Sequence, residues 1–376
     1  MITRNTILSL IEQAGNPSIS IYLPTHEKGE EVQQDPIRFK NLLKQAEQEL
    51  KDYEVKQSKI DELLEEPKKL LDQPMFWQHA DKGLAVFITE DSFEYFRVPL
   101  DFKEQLMVDN HFLITPLIPM ITLDGSFTIL CLSQKEVRLL RCTRVSVDTI
   151  YLEDAPTSME QFQQYDVYEK SLTAAAGTGR SKTMFHGWGD AAIDNNVLEN
   201  YLKTIENEVT SIMRKRRDPL ILAGVDKAMA EYRKVNHYSR LMDQTINGNP
   251  DPKTDEEVKD EGWEIIKSYF LEDMYNDISR YSDLIGSDKQ TDNLSQIVEG
   301  AYYGKVDSLF VTIGEQSWGW FDEDKDTVHH SSKKQNGEHD LINAAAIKTL
   351  SQGGNVYALE KEDMPQSSTV AAIFRY

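Results

Sequence analysis

The segment from Asn196 to Ala223 constrains the fold more than any other part of this chain, because a long amphipathic helix runs straight into a buried strand. Val197, Tyr201, Ile205, Val209 and Ile212 recur at spacings of three and four, which is one stripe of a helix. Asn196 and Glu199 fit a capping box at its start. Asp218 precedes Pro219, a pairing that disfavours helical geometry, so the helix is expected to end near Arg217. Leu220 to Ala223 then reads as a buried strand, Gly224 turns it, and Lys227 to Val235 returns to helical spacing.

A chain of 376 residues exceeds what one core usually fills, and three domains suit its pattern. In the first, Ile19 to Leu23 is a strand closed by Pro24, and Phe39, Leu42, Leu43, Ala46 and Leu50 mark one face of a helix from about Pro36. Ile60 to Leu71 is helical, and Leu84 to Ile88 with Phe93 to Val98 reads as a hairpin. The second domain opens with the hairpin Phe127 to Leu132 and Val137 to Cys142, followed by a short strand, Thr149 to Leu152. Regular patterning then fails from Pro156 to Asp194, a stretch too long for an ordinary connection. Beyond the helix, Asn247-Gly248 and Asn249-Pro250 are turn formers, which puts the end of the middle domain near residue 252. Helix resumes over Glu261 to Tyr281. Strands Leu309 to Ile313, Asn355 to Leu359 and Thr369 to Phe374 alternate with helices Leu294 to Ala301 and Leu341 to Leu350. The expected fold is α/β, with consecutive domains over 1–122, 123–252 and 253–376; the middle one has a mixed sheet and a long glycine-bearing loop over 177–194, and the last is an α/β/α sandwich.

A net charge of −22 repels nucleic acid at long range. The local balance differs, since seven Lys or Arg stand against five acidic residues between Ser171 and Arg217. Arg214, Lys215, Arg216 and Arg217 either complement the negative end of a helix dipole or bind phosphates. No apolar run approaches the roughly 20 residues of a membrane helix, and the N-terminus lacks a signal-peptide pattern, so a cytoplasmic protein with no membrane partner is expected. Cys131 and Cys142 read as buried reduced thiols. Gly177 to Thr183 is spaced like a phosphate loop, but Ser181 stands where a glycine should precede Lys182. His329, His330 and His339 lie in an acidic stretch without zinc spacing and read as a solvated loop. No metal and no cofactor are expected.

Gly304-Lys305-Val306-Asp307-Ser308-Leu309-Phe310-Val311 and the terminal Ala371-Ala372-Ile373-Phe374-Arg375-Tyr376 resemble recurring strands in the C-terminal domain of archaeal and eukaryotic peptide-chain release factors and of Pelota. The order of hairpin, glycine-bearing loop, long helix and strand ending in Ala-Gly resembles the middle domain of that family. Phe76-Trp77 and Gly83 to Phe87 are similar to the N-terminal part of its bacterial relatives, and the stop-codon-reading motifs of the eukaryotic factors are missing. The family's middle-domain loop carries Gly-Gly-Gln, whose glutamine positions a water against the peptidyl-tRNA ester. The corresponding place here reads Phe185-His186-Gly187-Trp188-Gly189-Asp190, with two glycines one residue apart and no glutamine.

Ester hydrolysis needs a held water, a donor for the developing oxyanion and sometimes a base. The amides of Gly187 and Gly189 can supply the first two, His186 can act as the base, and Asp190 can orient it. Alternatively His186 and Trp188 stack on RNA bases or a ribosomal surface. Arg180, Lys182, Trp188 and Arg214 to Arg217 are the candidate RNA contacts. The resemblance implies the ribosome and tRNA as partners, together with a translational GTPase. Two functions stay open: a release-factor-like protein hydrolysing peptidyl-tRNA in ribosome rescue, and a Pelota-like ribosome or RNA binder that hydrolyses nothing because the glutamine is absent. A shared fold does not carry activity by itself.

Overall fold

The computed structural model describes residues 2–26, 29–133, 135–164, 195–335 and 337–376. Each of the three expected α/β segments builds its own sheet. The chain packs as two compact units, one of residues 1–122 with 272–376 and one of 123–271.

The first segment contains α1 (Arg4–Gln13), β1 (Ser18–Pro24), α2 (Asp35–Asp52), α3 (Gln57–Leu63), α4 (Glu65–Leu71), α5 (Pro74–Gln78), β2 (Gly83–Ile88), β3 (Phe93–Val98), β4 (Gln105–Asp109) and α6 (Ile118–Thr122). Its strands run β3-β2-β1-β4, antiparallel throughout, with Ile21 opposite both Val86 and Leu106. Ile19, Ile21 and Leu23 of β1 pack with Val86 and Val108 under Phe39, Leu42 and Leu43 of α2. Tyr22, Ala85 and Phe87 point to the opposite face and into a different core. A central strand buried on both faces has to be apolar or small at every position, and Ser18-Ile19-Ser20-Ile21-Tyr22-Leu23 meets that demand.

The second segment comprises β5 (Phe127–Leu132), β6 (Arg138–Cys142), β7 (Val147–Ile150), helical residues 159–164 (α7), α8 (Asn195–Arg216), β8 (Leu220–Gly224), α9 (Asp226–Val235), β9 (Leu241–Asn247) and α10 (Asp255–Phe270). Its order is β7-β6-β5-β8-β9, with β5, β8 and β9 parallel and β6 and β7 antiparallel, which is the expected mixed sheet. Leu130, Leu132, Leu139 and Leu222 pack under α8 and α9. Phe127, Ile129, Cys131 and Ile221 pack on the other face against Val258, Trp263 and Ile266 of α10. Burial raises the Cys131 thiol to about 12 and shifts Cys142 upward as well, so both stay protonated.

Two sequence expectations need adjusting here. The helix read over Glu261 to Tyr281 is two helices, α10 and α11 (Glu272–Asp283), separated at Leu271. The compact unit runs to Leu271, beyond the boundary expected near 252, because the apolar face of α10 completes the core of this sheet. Gly262 is what allows the approach, since a Cβ there would meet Ile129 Cδ1 at 2.6 Å.

The third segment holds α11, β10 (Gln290–Thr291), α12 (Leu294–Tyr302), β11 (Val306–Thr312), β12 (Trp318–Asp322), β13 (Thr327–Ser331), β14 (His339–Asp340), α13 (Leu341–Ser351), β15 (Asn355–Leu359) and β16 (Val370–Phe374). One sheet runs β10-β16-β11-β15 and a smaller one β13-β12-β14. The stretch around His329, His330 and His339 is therefore not a solvated loop: the first two sit in β13 and the third in β14. Charged residues hid these strands from a reading based on apolar periodicity.

The first and third segments share one core, in which Tyr22, Phe87, Phe112 and Leu117 meet Ile297, Leu309, Leu341 and Ala345. Polar bonds cross the same junction. The amide of Ile114 donates to Asn343 Oδ1 at 2.8 Å, and Asn343 Nδ2 donates to the Phe112 carbonyl at 2.9 Å. Lys334 Nζ reaches the Val108 carbonyl at 2.9 Å, and His339 Nδ1 is 2.5 Å from Asp109 Oδ1. Replacing Asn343 by alanine orphans a buried amide and a buried carbonyl, at about 1–3 kcal/mol each; urea unfolding should show the loss, and an unchanged midpoint would refute this reading of the junction. The hydrogen bond to Asp109 raises the His339 pKa above its ordinary value. A raised pKa in the folded state means the pair's full contribution is present below the unfolded histidine value and fades as pH climbs through the raised one. The melting-temperature gap between wild type and His339→Gln is thus expected to shrink on going from mildly acidic to alkaline buffer.

Candidate functional site

Of the residues singled out from sequence, Arg180, Lys182, His186, Gly187, Trp188, Gly189 and Asp190 lie outside the described residues. Arg214, Lys215, Arg216 and Arg217 are described, and all four are exposed at the C-terminal end of α8. What places them there is the opposite face of the helix. Leu198, Tyr201, Leu202, Ile205, Val209 and Met213 are buried against the sheet and α9. The helix begins at Asn195, so Asn196 lies inside it, and Glu199 pairs with Lys203 at 2.6 Å.

The turn after α8 is held by a compact set of bonds. Arg217 takes a left-handed φ of 62° and its amide donates to the Met213 carbonyl at 2.8 Å, closing the last turn. Its carbonyl accepts from Arg240 Nη1 at 2.5 Å. The Asp218 carbonyl accepts from the Tyr238 hydroxyl at 2.6 Å, and its carboxylate accepts from Ser126 Oγ at 2.8 Å. Arg141 Nε lies 3.7 Å from that carboxylate. Arg141 and Arg240, which the sequence did not single out, therefore join the four cations along the edge where β5 and β8 begin. Neither arginine has a local signature, because one projects from a strand and the other from a turn.

Lys203 and Lys234 in the same unit each pair with a glutamate within one helical turn. Among the described residues, no carboxylate pairs with Arg214, Lys215, Arg216, Arg217 or Arg240. This cluster, uncompensated among the described residues, makes the edge locally positive in an acidic chain.

The inner side of α8 is locked rather than open. Glu206, 2% exposed, accepts from Thr210 Oγ1 at 2.6 Å and from the His237 amide at 2.8 Å. Burial, with the Glu206 charge adding to it, holds the Tyr232 phenol well above its ordinary pKa. Where the long loop is rooted, Phe162 of α7 packs 5.4 Å from the Tyr201 ring. Residues 177–194 join the chain at Asn195, the far end of α8 from the cations. At 1.5 Å per residue the 22 residues of α8 separate the two ends by about 33 Å. Among the described residues no group of three or more His, Cys, Asp or Glu is placed to hold a metal ion. No described helix is long and apolar enough to cross a membrane.

Residues 127–268 match the model of bacterial archaeo-eukaryotic release factor family 7. The central segment is therefore similar to this release-factor family. The match begins at the first residue of β5 and ends inside α10, so it takes in the sheet, α8, the loop and the cationic edge. No curated protein matches the chain. Among solved structures, the chain is similar to the archaeal translation termination factor aRF1, at 14% identity over 100% of this chain and 99% of that one, with a TM-score of 0.25. Pelota of Archaeoglobus fulgidus is 13% identical over 78% of this chain and 79% of its own, with a TM-score of 0.31. An archaeal Pelota described as ribosome-bound, with ABCE1, is 11% identical over 78% and 77%, with a TM-score of 0.39.

Proposed function

We propose that the chain acts at the ribosome as a release-factor-like protein, gripping RNA phosphates with the cationic end of α8 and presenting residues 177–194 to the peptidyl-tRNA ester. The family match over 127–268 carries this reading, and the unpaired cations support it. In the hydrolytic form of the proposal, the amides of Gly187 and Gly189 hold water and the developing oxyanion, His186 takes the proton, and Asp190 orients His186. Arg180, Lys182 and Trp188, in the same segment, contact RNA. The tRNA supplies the ester, and a translational GTPase is the proposed escort.

A second reading has its own support in the sequence, which has no glutamine anywhere between Gly177 and Asp194. In that form the protein occupies stalled ribosomes without cleaving anything, and His186 and Trp188 act as recognition groups.

Release of labelled peptide from peptidyl-tRNA on purified stalled ribosomes divides the two. Hydrolysis predicts release that Gly187→Ala with Gly189→Ala abolishes and that His186→Ala lowers by about 100-fold or more; binding without release favours the second reading. Replacing Arg214, Lys215, Arg216 and Arg217 by glutamine should weaken ribosome co-sedimentation. It should also reduce the slope of log affinity against log salt by roughly 0.7–0.9 per lost phosphate contact. An unaltered slope would remove the cationic edge from the proposal.

A further inference from the structure

A groove of about 380 Å³ opens where the first and third segments of their shared unit meet, and Asn110, His111, Tyr302, Trp320 and His339 are among the residues that line it. Its size falls in the range of small-molecule sites. Three polar side chains there have one side fixed and the other to spare. Asp109, 5% exposed, holds His339 by Nδ1, which leaves Nε2 only a long 3.4 Å contact with Asn110 Nδ2. Asn110 Oδ1 holds His111 by Nδ1 in turn, and His111 Nε2 has no partner among the described residues.

Flat rings line the rest of the groove. Trp320 lies nearly parallel to His329, with centroids 4.1 Å apart and planes 15° apart, and it keeps 38% of its surface exposed. Tyr302 packs 4.6 Å from Phe321, with Lys348 Nζ 4.4 Å above its ring. Asp109 is engaged by His339, and Glu338 by Ser331 Oγ and the Gln335 amide.

We propose that this groove binds a nucleobase, stacked on Trp320 and hydrogen-bonded along its edge by Asn110, His111 and His339. A planar ring carrying both donors and acceptors suits what is present. A purely apolar ligand would strand the amide and the imidazoles. A bare anion would leave the indole face unused. Unpaired bases are read elsewhere by this same combination of aromatic stacking and edge hydrogen bonds. The base can belong to a free nucleotide or to single-stranded RNA. This site is independent of the function proposed above, since its residues belong to the other compact unit and its test requires no ribosome.

The full chain is titrated by calorimetry with AMP, UMP, hexa-adenylate and hexa-uridylate. Saturable binding is expected, weakened about ten-fold or more by Trp320→Ala, retained in large part by Trp320→Phe, and reduced by His339→Gln. Circular dichroism establishes that the variants fold. Binding of the hexanucleotides alone assigns the groove to an RNA base, whereas equal binding of a mononucleotide assigns it to a free nucleotide. No saturable binding of any of the four probes overturns the proposal, as does binding that Trp320→Ala leaves unaltered.

Discussion

The apolar stripe of α8 is buried from Leu198 to Met213, and the functional geometry of the central unit depends on that burial. Each large side chain taken fully out of water contributes about 1.5–3 kcal/mol relative to exposure, so this stripe outweighs any single surface interaction nearby. Once it is seated over β5 and β8, two consequences follow without further design. The chain enters the helix at Asn195, and Arg214 to Arg217 are turned outward at the other end.

The charge distribution separates these roles. A chain of −22 disfavours polyanions at a distance, while the edge with Arg214, Lys215, Arg216, Arg217 and Arg240 offers cations that no carboxylate among the described residues neutralises. Within a Debye length of about 8–10 Å of that edge the local cations dominate.

Of the architecture, periodicity revealed most of the regular elements. The hairpin β2–β3, the α2 stripe, the β5–β6 hairpin and the α8–β8–α9 order were all legible, because each is a local pattern whose period reports which face is buried. The pattern was silent where burial comes from partners distant in sequence. β12, β13 and β14 carry histidines, tryptophans and aspartates rather than alternating apolar residues, so the stretch read as solvated although its strands pair. The helical reading from Glu261 did not disclose the sheet that Val258, Trp263 and Ile266 cover, and the compact unit extends past the turn formers at Asn247 to Pro250 as a result.

By itself, then, the sequence determined the α/β class and the long helix with its cationic end, since helical period and charge belong to neighbouring residues. Only the tertiary structure decided that residues 1–122 and 272–376 share one core, that Arg141 and Arg240 stand beside Arg217, and that Asp109 meets His339. Those pairings lie 230 residues apart in the last case, and no local pattern encodes them. They exist because both faces of β1 must be covered, and the second face is covered by α12 and α13 from the far end of the chain.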